Sequence, residues 1–149
     1  MFDSILKLIP SSHIYVPKEY SKQRAIASVD VLFPLADSIH FKQSDNPEFV
    51  DPGINLERII CPNCSTVIDE TWWKEAIDKA YNNKFMDLSI VVPCCNSKTS
   101  LNELKYEWPA GFAKFSIEIL NPIRDISDEE LHDIETILKT KLRKIWGHY

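Results

Sequence analysis

The sequence predicts an α+β fold, with a mixed or antiparallel sheet, helices on one side of it and a ferredoxin-like arrangement as one candidate topology. Three segments have helical spacing, several short segments alternate apolar and polar residues, and the two kinds do not alternate regularly along the chain. The chain has 149 residues, 44% of them hydrophobic, which suffices for one domain with a substantial core. We therefore treat 1–149 as a single α+β domain with an inserted zinc-ribbon-like element, a zinc-knuckle subregion at 61–100.

Before the first cysteine, the pattern predicts an arm, a helix and two strands. Residues 1–10 have the pattern of a short amphipathic arm, because Asp3 lies where a signal peptide would be positively charged. Residues 19–36 have helical spacing that Pro34 should end. The same stretch also alternates at Val29, Val31 and Phe33, so a strand stays open as the alternative. The remaining predictions are strands at 38–42 and 56–61, with turns over 44–55 around a short extended piece at 48–50.

Two further helices and a hairpin are predicted after the first cysteine pair. Residues 69–83 favour an amphipathic helix with Asp69 as its N-cap. A short strand at 87–92 follows, and 101–107 and 112–120 suggest a hairpin joined by 108–111. The last helix begins with a capping box, and its acidic first turns and basic last turns suit the helix dipole. Its capping residues are Ser127 and Glu130, and its buried stripe is Leu131, Ile134, Leu138, Leu142 and Ile145.

Charge and apolar patterning exclude several functional classes. The net charge is −5, and acidic residues outnumber basic ones in 1–60, 61–100 and 101–149 alike. A nucleic acid would therefore meet a repulsive surface unless folding gathers a basic patch from Lys139, Lys141, Arg143 and Lys144. The three glycines are too far apart for a Gly-rich nucleotide-binding loop. Apolar runs fall short of the roughly 18 to 20 residues of a membrane-spanning helix, so we expect a cytoplasmic protein without a membrane partner.

Four cysteines in two tight pairs carry the strongest chemical signal. Cys61 and Cys64 have the two-residue gap with which a tight turn directs two thiolates to one tetrahedral ion. Cys94 and Cys95 are adjacent, so only a turn directs both side chains to the same ion. We predict one structural zinc ion held by all four, with three thiolates plus a histidine or carboxylate as the alternative. A complete four-thiolate site leaves no open coordination position, and we therefore assign no catalytic residue.

The first cysteine pair also allows a redox interpretation. A strand that leads into Cys61-Pro62-Asn63-Cys64 and then a helix is similar to the context of a thiol–disulfide oxidoreductase. The predicted helix begins several residues after Cys64, too late for its dipole to act well on Cys61. This interpretation also leaves the second pair unexplained. A cysteine nucleophile with a distant histidine is a third interpretation, but the sequence offers no oxyanion loop for it.

Three tryptophans are candidates for an interaction surface. Trp72 and Trp73 are adjacent on the predicted helix and so point about 100° apart. One of them should pack in the core, and the other, with Trp108 of the hairpin loop, is a candidate for an exposed apolar patch that binds a protein partner. The sequence favours the other interpretation, in which all three complete the core of a small metal-stabilised domain.

The motifs taken together resemble a known pattern. The stretches CPNC, TWWKEAIDKAY and VVPCCNSKTSLNELKYEWPAGFAKFSIEILNP resemble a family of small, uncharacterised bacterial proteins over residues 56–122. The resemblance implies a cytoplasmic bacterial protein with zinc-ribbon-like knuckles on Cys61, Cys64, Cys94 and Cys95. Ser65 departs from it, because zinc knuckles commonly have glycine there. The resemblance implies no reaction, so we expect a non-enzymatic protein-interaction or regulatory module, with a redox protein or a weak nucleic-acid-binding zinc-ribbon protein as alternatives.

Overall fold

The computed structural model describes residues 3–53 and 57–149 and confirms the α+β class. Within these residues the elements follow in the order β1 (Ser4–Pro10), α1 (Glu19–Leu32), β2 (Ser38–Val50), β3 (Ile59–Ile60), α2 (Glu70–Tyr81), β4 (Ser89–Val91), β5 (Lys98–Ser100), β6 (Lys105–Tyr106), β7 (Gly111–Leu120), α3 (Asp128–Leu138) and β8 (Leu142–His148). Every helix in the described part of the chain is too short or too polar to cross a membrane.

A four-stranded antiparallel sheet forms one layer of the molecule, in the order β2-β7-β1-β8. Two short antiparallel pairs, β3-β6 and β4-β5, lie outside it. Without 51–110, the elements follow the order β-α-β-β-α-β, which is the order of a split βαβ fold. The ferredoxin-like topology stays a prediction, and this element order favours it.

The main core lies between one face of the sheet and the helices α1 and α3. Because side chains alternate along a strand, Leu6 and Leu8 share one face of β1. They pack with Phe115 of β7, Val29 of α1 and Ile134 of α3, among other buried residues. The opposite face carries a smaller apolar cluster, Ile9, Ala113 and Ile145, and the buried Lys7.

Residues 57–110, the cysteine lobe, have an apolar cluster of their own around α2 and the short strand pairs. Phe49 of β2 and Phe112 of β7 join it to the sheet. The Phe49 ring centroid lies 5.1 Å from that of Phe112 and 5.7 Å from that of Trp73. The lobe is therefore attached to the sheet by aromatic packing as well as by the chain.

The helices agree with the predictions in type. Residues 19–32 are helical, which decides against the strand alternative, and Phe33 caps α1 just before Pro34. Asp69 caps α2, its side chain accepting a hydrogen bond from the backbone N–H of Trp72. Ser127 and Glu130 form the predicted capping box of α3.

Two predictions in the first fifty residues were wrong. The described part of the predicted arm, residues 3–10, is not an arm, because β1 is a central strand and the stretch from Leu6 to Pro10 is buried without interruption. Residues 44–47 are not turns, because β2 continues through them to Val50 with a register shift between Gln43 and Glu48, whereas the extended piece predicted at 48–50 is present as the end of this strand. A bulge lets a strand accommodate the Asn and Pro residues that favour turns.

Two predictions in the last fifty residues were also wrong. The hairpin of 101–107 and 112–120 does not form, because β7 pairs with β1 and β2 while β6 pairs with β3. The last helix ends at Leu138, and Lys139 adopts a left-handed backbone conformation with φ of 61°. Leu142 and Ile145 are buried as predicted, but on β8. The basic residues predicted for the last helical turns therefore follow the helix.

The short strands beside the cysteines are present but reduced. The predicted strand 87–92 is β4, and within 56–61 the strand is Ile59–Ile60. Leu56 and its two preceding residues lie outside the described part of the chain. The predicted strand 38–42 lies within β2.

Candidate metal centre

The four cysteines converge on one point. The four Sγ atoms all lie within 4.8 Å of one another. Cys61 Sγ is 3.9 Å from Cys95 Sγ, and Cys64 Sγ is 3.3 Å from Cys94 Sγ. A tetrahedral metal ion with bonds of about 2.3 Å to sulfur separates its thiolates by about 3.8 Å, and the sulfur separations here lie on both sides of that value, so the cluster is compatible with one bound metal ion. The donor set is four soft thiolates, which suits zinc.

A tight turn positions the first pair. The backbone N–H of Cys61 donates to Thr66 O at 2.9 Å, and the N–H of Ser65 donates to Cys61 O at 3.0 Å. Ser65 has φ of 63°, in the left-handed region where glycine is at ease. This explains why zinc knuckles commonly have glycine at the position that Ser65 fills. Ile60 and Val67 form an antiparallel bridge that closes the turn.

The second pair lies on a turn of the same construction. The N–H of Val92 donates to Ser97 O and the N–H of Asn96 donates to Val92 O, each at 3.0 Å. Asn96 has φ of 58°, and the strands β4 and β5 flank the turn. The predicted turn at the adjacent cysteines is therefore present.

Matching the backbone hydrogen bonds aligns 92–97 with 61–66. Pro93 then corresponds to Pro62 and Cys95 to Cys64, while Val92 occupies the place of Cys61. The fourth cysteine, Cys94, lies in the middle of the second turn, at the position that Asn63 has in the first turn. Sequence reasoning missed this repeat because the ligand positions differ between the two turns. The shared pattern of a proline, any residue, a cysteine and then Thr or Ser two positions later carried the signal.

Hydrogen bonds around the sulfur atoms favour deprotonation of two thiols. Hydrogen bonds with the Ser97 hydroxyl, at 3.2 Å, and the Asn63 amide, at 3.5 Å, lower the pKa of Cys95 to about 6. A hydrogen bond with Thr66 lowers the pKa of Cys64. The hydrogen bond with Cys64 raises the pKa of Cys94 to about 12. Because a metal binds thiolates, metal binding must release the protons that the thiols still hold, and the raised pKa of Cys94 opposes this release.

The cluster lies at the surface of the lobe with one ligand in its interior. Cys61 is fully buried and belongs to the same apolar cluster as Trp73 and Val92. Cys95 is half-buried, and Cys64 and Cys94 are exposed. A bound metal would therefore link the buried interior of the lobe to its two surface turns.

Histidines and acidic residues do not contribute to this cluster. In 3–53 and 57–149, the four cysteines are the one group of three or more His, Cys, Asp or Glu side chains with ligand atoms gathered closely enough for a metal. Helix α2 begins at Glu70 and its N-terminus is occupied by the Asp69 cap. In the sequence, α2 thus starts several residues after Cys64, whereas a redox pair has its reactive cysteine at a helix N-terminus.

The three tryptophans lie in different surroundings. Trp73 is buried, and its Nε1 donates to the Tyr106 hydroxyl at 3.3 Å. Trp72 is half-buried and lines a groove between α2 and β4. Trp108 is 45% exposed, with its ring edge against His148 at 6.0 Å between centroids. One of the adjacent pair therefore packs in the core, and the other two retain exposed surface.

The basic residues after α3 are partly neutralised. Arg143 pairs with Glu103 at 3.0 Å, and Lys144 pairs with Asp125 at 3.1 Å. Two of the four cations proposed for a nucleic-acid patch therefore already have carboxylate partners, which weakens the field available to a phosphate backbone.

No protein-family model, curated protein or solved structure matches the chain. The resemblance to a bacterial family therefore stays a prediction, and the chemistry of the site is argued from its geometry.

Proposed function

We propose that this protein binds one structural zinc ion through Cys61, Cys64, Cys94 and Cys95, and that the metal fixes the cysteine lobe as an interaction surface for a protein partner. The observation that carries the proposal is the convergence of four Sγ atoms within 4.8 Å on two turns with matching backbone hydrogen bonds. Four protein ligands complete a tetrahedral zinc ion, which then has no position for water or substrate.

The energetics support a structural role for the metal. Structural zinc contributes roughly 10 to 16 kcal/mol in small sites, which is comparable to the whole stability of a domain, about 5 to 15 kcal/mol. The strands β3, β4, β5 and β6 have two or three residues each and gain little from pairing alone. The metal would connect the turns that these strands flank.

Metal analysis tests the zinc site. Protein purified without added metal should contain one equivalent of zinc, and cobalt exchanged into it should give the absorption of a four-thiolate tetrahedral site. Cys94→Ser should lose the cobalt charge-transfer intensity of one thiolate and bind zinc more weakly. Ser65→Gly, which changes the first turn without touching a ligand atom, is the matched control and should retain one equivalent.

A folded, metal-free protein with four free thiols would overturn the zinc site. A reversible Cys61–Cys64 disulfide in place of the metal would instead favour the redox interpretation. Mass spectrometry after alkylation with and without a reductant distinguishes these outcomes from bound zinc.

The surface of the cysteine lobe supports a protein partner. Trp72, Ala76 and Ile90 line a groove of about 360 Å³ between α2 and β4, with Glu75 and Lys79 also among its lining residues. Val91 is 52% exposed beside it. The lining is mixed, and a tryptophan with aliphatic neighbours surrounded by charged residues is typical of the core and rim of a protein interface.

Site-specific photo-crosslinking in cells tests the partner. A photoreactive phenylalanine analogue in place of Trp72 should give an adduct of one discrete mass, and Cys61→Ser should abolish it because the lobe loses its metal. The same analogue at Tyr20, 76% exposed on α1, is the matched control and should give no such adduct. Equal adducts at both positions, or none at Trp72, would contradict the proposed surface.

A further inference from the structure

The face of the sheet opposite α1 and α3 carries a polar cleft of about 630 Å³. Side chains from β1, β2 and β7 line it together with Tyr149, and it shares no residue with the metal centre. Its volume lies in the range of small-molecule sites, roughly 300 to 1,000 Å³. The cleft therefore has room for a ligand of metabolite size.

Lys7 is the unusual residue of this cleft. It lies on the central strand β1, on the same face as Ile5 and Ile9, and is 6% exposed. Its Nζ donates to the backbone oxygen of Asp51 at 2.8 Å and hydrogen-bonds the Tyr149 hydroxyl. The Tyr149 ring centroid lies 4.9 Å from the same nitrogen. A lysine is seldom buried to this extent, because removing an ammonium group from water costs several kcal/mol.

The acidic groups near Lys7 are engaged elsewhere. Glu118 lies opposite Lys7 on β7, but its carboxylate pairs with Lys42 at 2.9 Å. The Asp51 carboxylate accepts hydrogen bonds from the Tyr149 hydroxyl at 3.0 Å and from Gly53 N–H at 2.7 Å. Across residues 3–53 and 57–149, no carboxylate oxygen lies within 4.0 Å of Lys7 Nζ.

These surroundings make the charged ammonium form of Lys7 less favourable than it is in water. Burial lowers the pKa of Lys7, and the more distant charges of Asp51 and Glu118 oppose this only in part. A desolvated lysine with a neutral amine is the form that attacks carbonyl carbon. The two hydrogen bonds hold the nitrogen in place at the wall of the cleft.

We propose that the cleft binds a small 2-oxo carboxylate and that the Lys7 amine forms an imine with its carbonyl carbon. The carboxylate of the ligand would pair with Lys114, which lines the same cleft and has no ion-pair partner in the described residues. Ser116, on the same face of β7 between Lys114 and Glu118, offers a hydroxyl to the remaining oxygen atoms.

The step is balanced without an oxidant or reductant. The nitrogen lone pair attacks the carbonyl carbon, the C=O π bond breaks, and the oxygen takes a proton to give a carbinolamine. The C–O bond then breaks, the oxygen leaves as water, and both hydrogens lost from nitrogen are recovered in that water. The Tyr149 hydroxyl accepts a hydrogen bond from Lys7 Nζ and donates one to the Asp51 carboxylate. It is therefore placed to transfer these protons from the nitrogen to the departing oxygen.

Reductive trapping on the zinc-loaded full chain tests the proposal. The protein is incubated with pyruvate and sodium cyanoborohydride, digested, and the reduced adduct is located by mass spectrometry. Lys7 should be labelled at least ten-fold faster than exposed lysines such as Lys74 and Lys98. Lys7→Met should remove that label, and labelling of the wild-type chain decides the question even if this variant folds poorly.

A second pair of reactions tests the carboxylate. Propanal has a carbonyl group without the charge, and because an aldehyde is intrinsically more reactive than a ketone, each labelling rate of Lys7 is divided by that of the exposed Lys98. This ratio should be several-fold smaller with propanal than with pyruvate. Lys114→Met should slow labelling by pyruvate and leave labelling by propanal unchanged. Labelling of Lys7 no faster than of Lys98, or only after unfolding in urea, would overturn the imine. A Lys7-to-Lys98 labelling ratio that is the same with pyruvate and propanal, and that Lys114→Met does not change, would overturn the ligand class.

Discussion

The sheet layer and the cysteine lobe of this chain are stabilised in different ways. The sheet layer has strands of seven to thirteen residues, and Leu6, Leu8, Phe115 and Ile117 on its helix-covered face are at most 1% exposed. The lobe has strands of two or three residues, and one of its buried positions is a cysteine of the candidate metal centre, Cys61. The comparison indicates that burial suffices for the sheet layer, and the proposed metal site leads us to expect that the lobe needs a cross-link as well.

Metal removal should give the largest difference in stability between the cysteine lobe and the sheet layer. With a strong chelator, amide protons of α2, β4 and β5 should lose most of their protection from hydrogen exchange, while those of β1 and β7 keep theirs. The reason is that roughly 10 to 16 kcal/mol of metal binding is withdrawn from the lobe alone. Hydrogen exchange with mass spectrometry measures both regions in one sample.

Readdition of zinc is the control, and it should restore protection in the lobe. The comparison fails if the chelated lobe stays protected, or if β1 and β7 lose protection to the same extent as α2. The second result would mean that the aromatic contacts of Phe49 and Phe112 make the two regions one cooperative unit.

Phe115→Ala should destabilise the sheet layer and leave the metal site of the cysteine lobe unchanged. Phe115 is 1% exposed in the core between the sheet and the helices, and its ring packs edge-on against Phe41 with 6.0 Å between centroids. Its truncation should lower the free energy of unfolding by about 3 to 5 kcal/mol. Zinc stoichiometry should stay at one, since no ligand is touched. Urea unfolding and metal analysis check the two parts, and a loss below about 1 kcal/mol would contradict this description of the core.

Ser127→Ala should have a smaller effect, at the start of α3. The Ser127 hydroxyl accepts a hydrogen bond from the Glu130 N–H at 3.1 Å, and loss of such a cap costs about 1 kcal/mol. Urea unfolding at neutral pH should show this loss, and Ser89→Ala, an exposed serine on β4, is the matched control with little change. Equal losses in the two variants would show that the cap contributes nothing.

The carboxylate of the same capping box should give the sheet layer a pH dependence. Hydrogen bonds from Arg124 and from the Ser127 backbone hold the pKa of Glu130 at about 2, below its usual 4.5. Because the pKa is lower in the folded state, this contribution is fully present above about pH 4.5 and is lost as the pH falls towards 2. Glu130→Gln should therefore have a lower melting temperature than the wild type at pH 7, and this difference should shrink as the pH falls to 2. The difference between Glu129→Gln and the wild type should not depend on pH in this way.

The strength of the local signals explains which elements could be predicted from the sequence. Asp69, Ser127 and Glu130 act within one helical turn, so the starts of α2 and α3 could be read from neighbouring residues. In contrast, β1 is a strand because it pairs with β7 and β8, which lie more than a hundred residues away in the sequence, and β8 is a strand because it pairs with β1. Leu142 and Ile145 fit a helical stripe as well as a strand, and the left-handed Lys139 that separates them from α3 has no glycine to mark it.

The same difference between local and long-range signals explains which parts of the candidate site could be predicted. The four ligands could be predicted because tetrahedral thiolate binding needs cysteines at turn spacing, and the turns bring them together. The repeat of the two turns was hidden because Val92 replaces a cysteine. The Lys7 cleft was missed entirely, since Lys7 meets Asp51 and Tyr149 only through the sheet, from separate parts of the chain.

Ser65→Gly is the smallest expected change and tests the cysteine lobe without altering a contact. Ser65 has φ of 63°, where a side chain costs about 1 kcal/mol or more and glycine costs little, although glycine also gains entropy in the unfolded chain. The net result should be a gain below about 1 kcal/mol, visible as slower zinc loss to a chelator rather than as a change in the unfolding of the sheet. Ser89→Gly, the same substitution at an extended position of β4, should accelerate zinc loss. If Ser65→Gly loses zinc faster, as Ser89→Gly does, then the left-handed backbone at Ser65 does not strain the turn.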